Sequence, residues 1–177
     1  MFGHENYIFE GSQGLLLDQN IGFYPNVTPS NTGTKNIIEM GFKPNLYLVT
    51  RAYQTRHGAG PMTGECMGNE FIKVNPKETN IQNPYQGKFR RTILDLDLLR
   101  HGMNRDQYIH ATNSSITKKL VVTCLDQMNQ YLYSEGGKVC LCKDQTSFLR
   151  DLSYYLKIPT VLASNGPEGV FEEYEFD

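Results

Sequence analysis

An α/β fold, with a mainly parallel sheet flanked by helices, is predicted by three features of this sequence. Short apolar, β-branched runs (46–53, 120–125, 158–162) alternate with stretches of helical periodicity (94–108, 145–156). Strands that alternate with helices imply crossover connections and therefore parallel pairing. Gly-, Pro- and Asn-rich segments separate the runs, and neither an internal repeat nor a linker divides the 177 residues, so 1–177 is expected to be one domain.

Each element has its own signal. Residues 7–9 suit a short strand that ends at the turn Gly11-Ser12-Gln13-Gly14. Asn31 is placed to cap a helix running to Met40, with Gly41 as its stop. Residues 46–53 read as a buried strand, and 54–91, rich in Gly, Pro and Asn, as a long loop of the kind that is functional or disordered. The period of 94–108 predicts a helix, and 120–125 a strand. Residues 138–142 suit a strand with Cys140 and Cys142 on one face. Residues 145–156 form an amphipathic helix with Phe148, Leu152 and Tyr155 on one side; 158–162 is the last strand, leading into Ala163-Ser164-Asn165-Gly166-Pro167. The acidic tail 168–177 is expected to be exposed, with Phe171, Tyr174 and Phe176 available to dock.

Composition excludes several classes. Hydrophobic residues make up 39% and charged residues 20%, as in ordinary globular domains. No apolar run approaches the roughly 20 residues that cross a bilayer. The N-terminal MFGHENYIFEGSQ lacks the basic and apolar regions of a signal peptide, so an intracellular, cytoplasmic location without membrane contact is expected. A net charge of -2 argues against a nucleic-acid coat, though not against one nucleotide in a local pocket. Cys66, Cys124, Cys140 and Cys142 do not have zinc-site spacing and read as reduced packing residues. No metal site is expected.

Four loops carry candidate chemistry, because ligands in open α/β sheets bind where strands end. In the first, Gln13 offers an amide to a phosphate or base, Gly14 permits close approach, and Thr28 and Ser30 bring hydroxyls to a helix start; a plain turn and capped helix is the alternative. In the second, Thr55-Arg56-His57-Gly58-Ala59-Gly60-Pro61, the arginine suits a phosphate or carboxylate, although such a loop is also a common structural turn. His57 has no visible partner that would make it catalytic. The third, Asn83 to Arg91, gathers Gln86, Gly87, Lys88, Arg90 and Arg91, and suits a dicarboxylate or else a solvated basic face. The fourth pairs Asp126 with Ser164, Asn165 and Gly166. A carboxylate there can accept two bonds from an amidine-like base edge, or simply cap the next helix.

In this order the loops resemble a known family. FEGSQGLLLDQNIGFYPNVTPSNT is similar to the F-E-G-x-Q-G-x-x-L-D…G-x-Y-P-x-V-T-x-S-N-T region of adenylosuccinate synthetases, and RAYQTRHGAGP to their T-R-x-G-x-G-P loop. GKFRRT falls at their arginine-rich aspartate loop, VTCLDQM at their T-K-L-D guanine motif, and SNGP at their S-x-G-P base loop. The likeness covers residues 8–167; its first block is long and specific, and the last two count through their order. It implies the C-terminal half of a P-loop-type synthetase fold, lacking the N-terminal phosphate-loop part.

The resemblance implies a ligase of purine biosynthesis. A triphosphate phosphorylates the purine 6-oxygen, and the aspartate amine displaces the phosphate. Gln13, Gly14, Thr28 and Arg56 would contact the purine monophosphate, while Asp18 supports the loop. Gln86, Gly87, Lys88 and Arg90 would hold aspartate. Asp126, Ser164, Asn165 and Gly166 would meet the triphosphate's base. Mg2+ would accompany ATP or GTP in the complete enzyme and not be held by this chain alone.

Two departures qualify this. The family's Gly-Asp-Glu-Gly-Lys-Gly-Lys loop, with its catalytic Asp, and the catalytic His lie far upstream of the Gln motif, so no catalytic residue is assigned here. The chain is expected to be one half of a split enzyme, as a homodimer or with an N-terminal-half partner; the alternative is a catalytically inactive nucleotide-binding or interaction protein derived from the fold. Cys124 stands where the family usually has Lys, whose stem lies along guanine, which weakens the case for GTP. TPSNTGTKNI, TRHGAGP and YQGKFR resemble the phage-associated branch that joins aspartate to dGMP on the way to 2-aminoadenine DNA, often with ATP, in host cytoplasm.

Overall fold

The computed structural model describes residues 6–65, 67–107, 109 and 117–177; the sequence readings at 1–5, Cys66 and Tyr108 lie outside them. Two compact units form, Met1–Pro44 with Gly102–Ile116, and Asn45–His101 with Thr117–Asp177.

The second unit holds β1 (Leu46–Arg51), β2 (Tyr53–His57), β3 (Phe89–Asp95), β4 (Lys118–Thr123), β5 (Leu132–Glu135), β6 (Lys138–Leu141), β7 (Thr160–Ala163) and β8 (Glu172–Glu175). One sheet has the order β1-β4-β7-β8 and the other β2-β3-β5-β6. The pairs β1–β4, β4–β7 and β3–β5 are parallel, and β2–β3, β5–β6 and β7–β8 antiparallel. The fold is therefore α/β as expected, each sheet mixing parallel and antiparallel pairs.

The core is apolar where the sequence is. Val122, Val161, Phe148, Leu149 and Leu152 are fully buried, each contributing about 1.5–3 kcal/mol. The helix Gln145–Leu156 matches its sequence pattern: Asp144 caps it by accepting from the Ser147 N–H at 2.8 Å, and Lys157 ends it in a left-handed conformation, φ 57°. Phe148 and Leu152 face inward as expected, and Tyr155 reaches Asp97.

Other boundaries differ. Residues 46–53 form no single strand: the chain bends at buried Ala52, β1 enters one sheet and β2 the other. The loop 54–91 is shorter, because β2 runs to His57 and β3 starts at Phe89. β3 escaped sequence reading because Arg90 and Arg91 obscure its pattern; pairing with β2 decides it. Leu94 and Asp95 belong to this strand and pair with Tyr133 and Ser134; the helix starts at Leu96 as α2 (Leu96–Arg105), capped by Asp95, which accepts from the Leu98 N–H at 3.0 Å. The hairpin β5–β6 turns at Gly136-Gly137, both with positive φ, the geometry of a two-residue hairpin turn. Cys142 follows β6 rather than sharing its face with Cys140. The acidic tail contains β8, and Tyr174 is half-buried while Phe171 stays exposed.

In the first unit, residues 7–9 are not a strand; Tyr7 and Phe9 stack with each other and meet Phe42 instead. The helix expected from Asn31 is α1 (Lys35–Glu39), because the Asn31 side chain bonds Asn20 and Asn36 rather than the helix N–H groups. Gly41, φ 86°, follows its end as expected. The helix Gln145–Leu156 is labelled α3.

Candidate functional site

The loop with Gln13, Gly14 and Thr28 lies in the first unit, wound around Asp18. Asp18 is 2% exposed and accepts from the N–H groups of Asn20 and Thr32, each at 2.7 Å. Two N–H donors satisfy its buried carboxylate. Thr32 Oγ1 donates to the Gly14 carbonyl at 3.0 Å, and Thr28 N–H to the Leu17 carbonyl at 2.8 Å. Gln13 is exposed with a left-handed backbone, φ 66°, a conformation uncommon outside glycine. Thr28 and Ser30 bring their hydroxyls within 3.4 Å of each other.

Arg56 and Arg90 lie in the second unit and are partners in the β2–β3 register. Burial and the charge of Arg90 both lower the pKa of Arg56. Gly58 N–H donates to the Lys88 carbonyl at 3.0 Å, tying the second sequence loop to the third. A Cβ on Gly87 would stand 3.1 Å from the Gly58 Cα, so both glycines serve this close approach. Gln86 and Lys88 stay exposed in the same loop. Arg90 donates to the Gly60 carbonyl at 2.9 Å and to Glu65 at 2.9 Å, while its Nε is buried without a hydrogen-bond partner. An orphaned buried donor is costly, and one more oxygen acceptor would satisfy it. Neither nitrogen of His57 has a partner either; its ring packs on Phe89 at 4.9 Å.

Asp126 and the Ser164-Asn165-Gly166 segment come together because β4 and β7 are parallel neighbours that end at the same edge. Leu125 N–H donates to the Ser164 carbonyl at 3.3 Å, and Ser164 Oγ to the Gly166 carbonyl at 3.0 Å. Between them opens a cleft of about 370 Å3 lined by Asp126, Asn165, Gly166, Glu168 and Glu172. Its carboxylates suit a ligand edge rich in N–H donors. Ser164 is buried and shapes the loop rather than facing the cleft.

Sequence reading missed Glu65, Glu168 and Glu172, and also Arg51, Tyr53, Glu78 and Gln127, which are linked behind Asp126. Their partners lie far along the chain, so no local pattern marks them. Burial opposes ionisation of Glu78, but Asn80 and the Arg51 guanidinium outweigh it and hold the carboxyl down to about 2. Among the described residues no group of three His, Cys, Asp or Glu is placed to hold a metal, and no helix is long and apolar enough to cross a membrane.

Residues 3–158 match the family model described as adenylosuccinate synthetase. The chain belongs to the adenylosuccinate synthetase family. It is 33% identical to the adenylosuccinate synthetase of Petrotoga mobilis over 174 residues, 94% of this chain and 39% of that protein. It is 34% identical to that of Yarrowia lipolytica over 145 residues, 77% of this chain and 32% of the relative. Its fold resembles a fully ligated adenylosuccinate synthetase from Plasmodium falciparum with a TM-score of 0.56 and 21% identity, covering 89% of this chain and 47% of that one. The chain thus spans about two fifths of the length of the first of these curated relatives.

Proposed function

We propose that this chain supplies the nucleotide- and aspartate-binding loops of a purine-biosynthetic ligase that joins aspartate to a purine monophosphate. The observation that carries the proposal is the cleft at the ends of β4 and β7, where Asp126, Asn165 and Gly166 converge although separated in sequence. In this reading Asp126 accepts from the base of the triphosphate. Arg90, with its unpaired Nε, and Lys88 take the aspartate carboxylates, assisted by Gln86 and Gly87. Arg56 serves the purine monophosphate, as do Gln13, Gly14 and Thr28. In the complete enzyme Mg2+ with GTP or ATP would neutralise the transferring phosphoryl group.

Finer features belong to the same proposal. TPSNTGTKNI and YQGKFR favour the phage-associated branch that uses dGMP. Phosphoryl transfer depends on a phosphate cradle and charge stabilisation, to which no residue named above contributes, so turnover is proposed to need a phosphate-loop segment beside these loops, whichever chain carries it. The test mixes this chain with such a segment, aspartate, IMP or dGMP, and GTP or ATP, and measures phosphate release. Release that needs both parts supports the ligase. Calorimetric nucleotide binding without release in any combination supports a binding protein instead.

A further inference from the structure

The turn that carries Asp126 is held from two sides. Cys124 adopts a left-handed backbone, φ 61°, and the 3-10 turn Leu125–Gln127 follows. On one side Lys73 N–H donates to the Gln127 carbonyl at 2.7 Å and Lys73 Nζ to the Asp126 carbonyl at 2.7 Å. On the other side Tyr53 Oη donates to Gln127 Oε1 at 2.6 Å and accepts from Arg51 Nη1 at 2.9 Å. The same Arg51 nitrogen reaches Glu78 Oε2 at 3.0 Å. Tyr53 is 2% exposed and its partners are half-buried, so this is a part-buried chain with the Arg51–Glu78 ion pair at one end and the Asp126 turn at the other. Bonds in such a chain polarise one another, and breaking one leaves a buried group unsatisfied. The Asp126 carboxylate, by contrast, is exposed at the cleft and makes no hydrogen bond among the described residues.

We infer that Arg51 and Tyr53 are positioning residues for base selection: the Glu78–Arg51–Tyr53–Gln127 relay fixes the turn on which Asp126 stands, and so fixes where its carboxylate meets the base. The inference rests on the reading of Asp126 as the base acceptor. Its physical basis is the steep angular dependence of hydrogen bonds. A fixed carboxylate rewards a base edge with two N–H donors and leaves other edges unpaired. A loose one accommodates either edge.

The test uses Tyr53→Phe, which keeps the ring and removes the relay bond, with Arg51→Met and Arg51→Lys beside it. Amide hydrogen exchange is measured over residues 124–128, and GTP and ATP affinities by calorimetry. In Tyr53→Phe and Arg51→Met, exchange is expected to rise in that segment, and the ratio of the two affinities to fall about tenfold, the equivalent of one lost hydrogen bond. Arg51→Lys, which keeps a cationic donor, is expected to recover most of the ratio. Unchanged exchange in Tyr53→Phe overturns the relay whatever nucleotide binds. Raised exchange with an unchanged ratio overturns its role in selection. A wild-type chain that does not distinguish GTP from ATP sinks the reading of Asp126 itself and with it the selective role, leaving only a structural brace.

Discussion

Arg90 is held by two internal acceptors, the Gly60 carbonyl and Glu65, yet its Nε remains unpaired and buried. Glu65, with a side chain 46% exposed, is a carboxylate already standing where an incoming dicarboxylate would be bound. In the proposed reading the two carboxylates compete for Arg90. Half-exposed ion pairs are worth roughly 0.2–1 kcal/mol, so Glu65→Gln should tighten aspartate or succinate binding by up to about fivefold by calorimetry; weaker binding would show that Glu65 shapes the site instead. Glu78 makes a pH prediction. Its folded pKa of about 2 lies below the ordinary 4.5, so its contribution is complete above 4.5 and is lost as pH falls toward 2. Glu78→Gln should cost about 2 kcal/mol at neutral pH and almost nothing near pH 2, with urea unfolding across that range as the measurement. A cost that does not vary with pH would refute it. None of these partnerships was visible in the sequence, because Arg90 and Glu65, or Arg51 and Glu78, meet only through sheet pairing and loop closure. The sequence did mark Asp18 as support for its loop, and its two short N–H bonds are that support.

At the scale of elements, legibility followed locality. The helix Gln145–Leu156 was readable because cap, apolar period and stop all lie within the segment. The strands β4 and β7 were readable from β-branched runs, with ends shifted by two residues or so. β3 and β5 were not. β3 carries two arginines directly after Phe89 and is a strand because β2 and β5 flank it. β5 is four residues long and is fixed by the Gly136-Gly137 turn and its pairing with β6. Leu94 and Asp95 fit a helical period, but the ladder to β5 overrides it, since β pairing depends more on context than helix propensity does. The candidate cleft inherits this split. Its loops were named from sequence, while their meeting depends on β4 and β7 being parallel neighbours.

At the scale of the molecule, β1 is an edge strand, and Tyr47 and Val49 stand 57% and 68% exposed on it. Exposed apolar edges invite pairing with another chain. The far edge differs: β8 presents Glu172, Glu173 and Glu175, charges that discourage pairing. We expect concentration-dependent association in sedimentation, weakened by Val49→Lys; a wild-type monomer at every concentration would count against it. By itself the sequence determined the α/β class, the order of the candidate loops and the family, because these rest on local periodicity and on motifs contiguous along the chain. The tertiary structure decided that the strands form two mixed sheets, that Asp126 shares a cleft with Asn165 and Gly166, and that Arg51, Tyr53 and Glu78 stand behind it. Those facts depend on which distant segments pair, and a hydrogen bond between residues 27 or 74 positions apart leaves no trace in either neighbourhood.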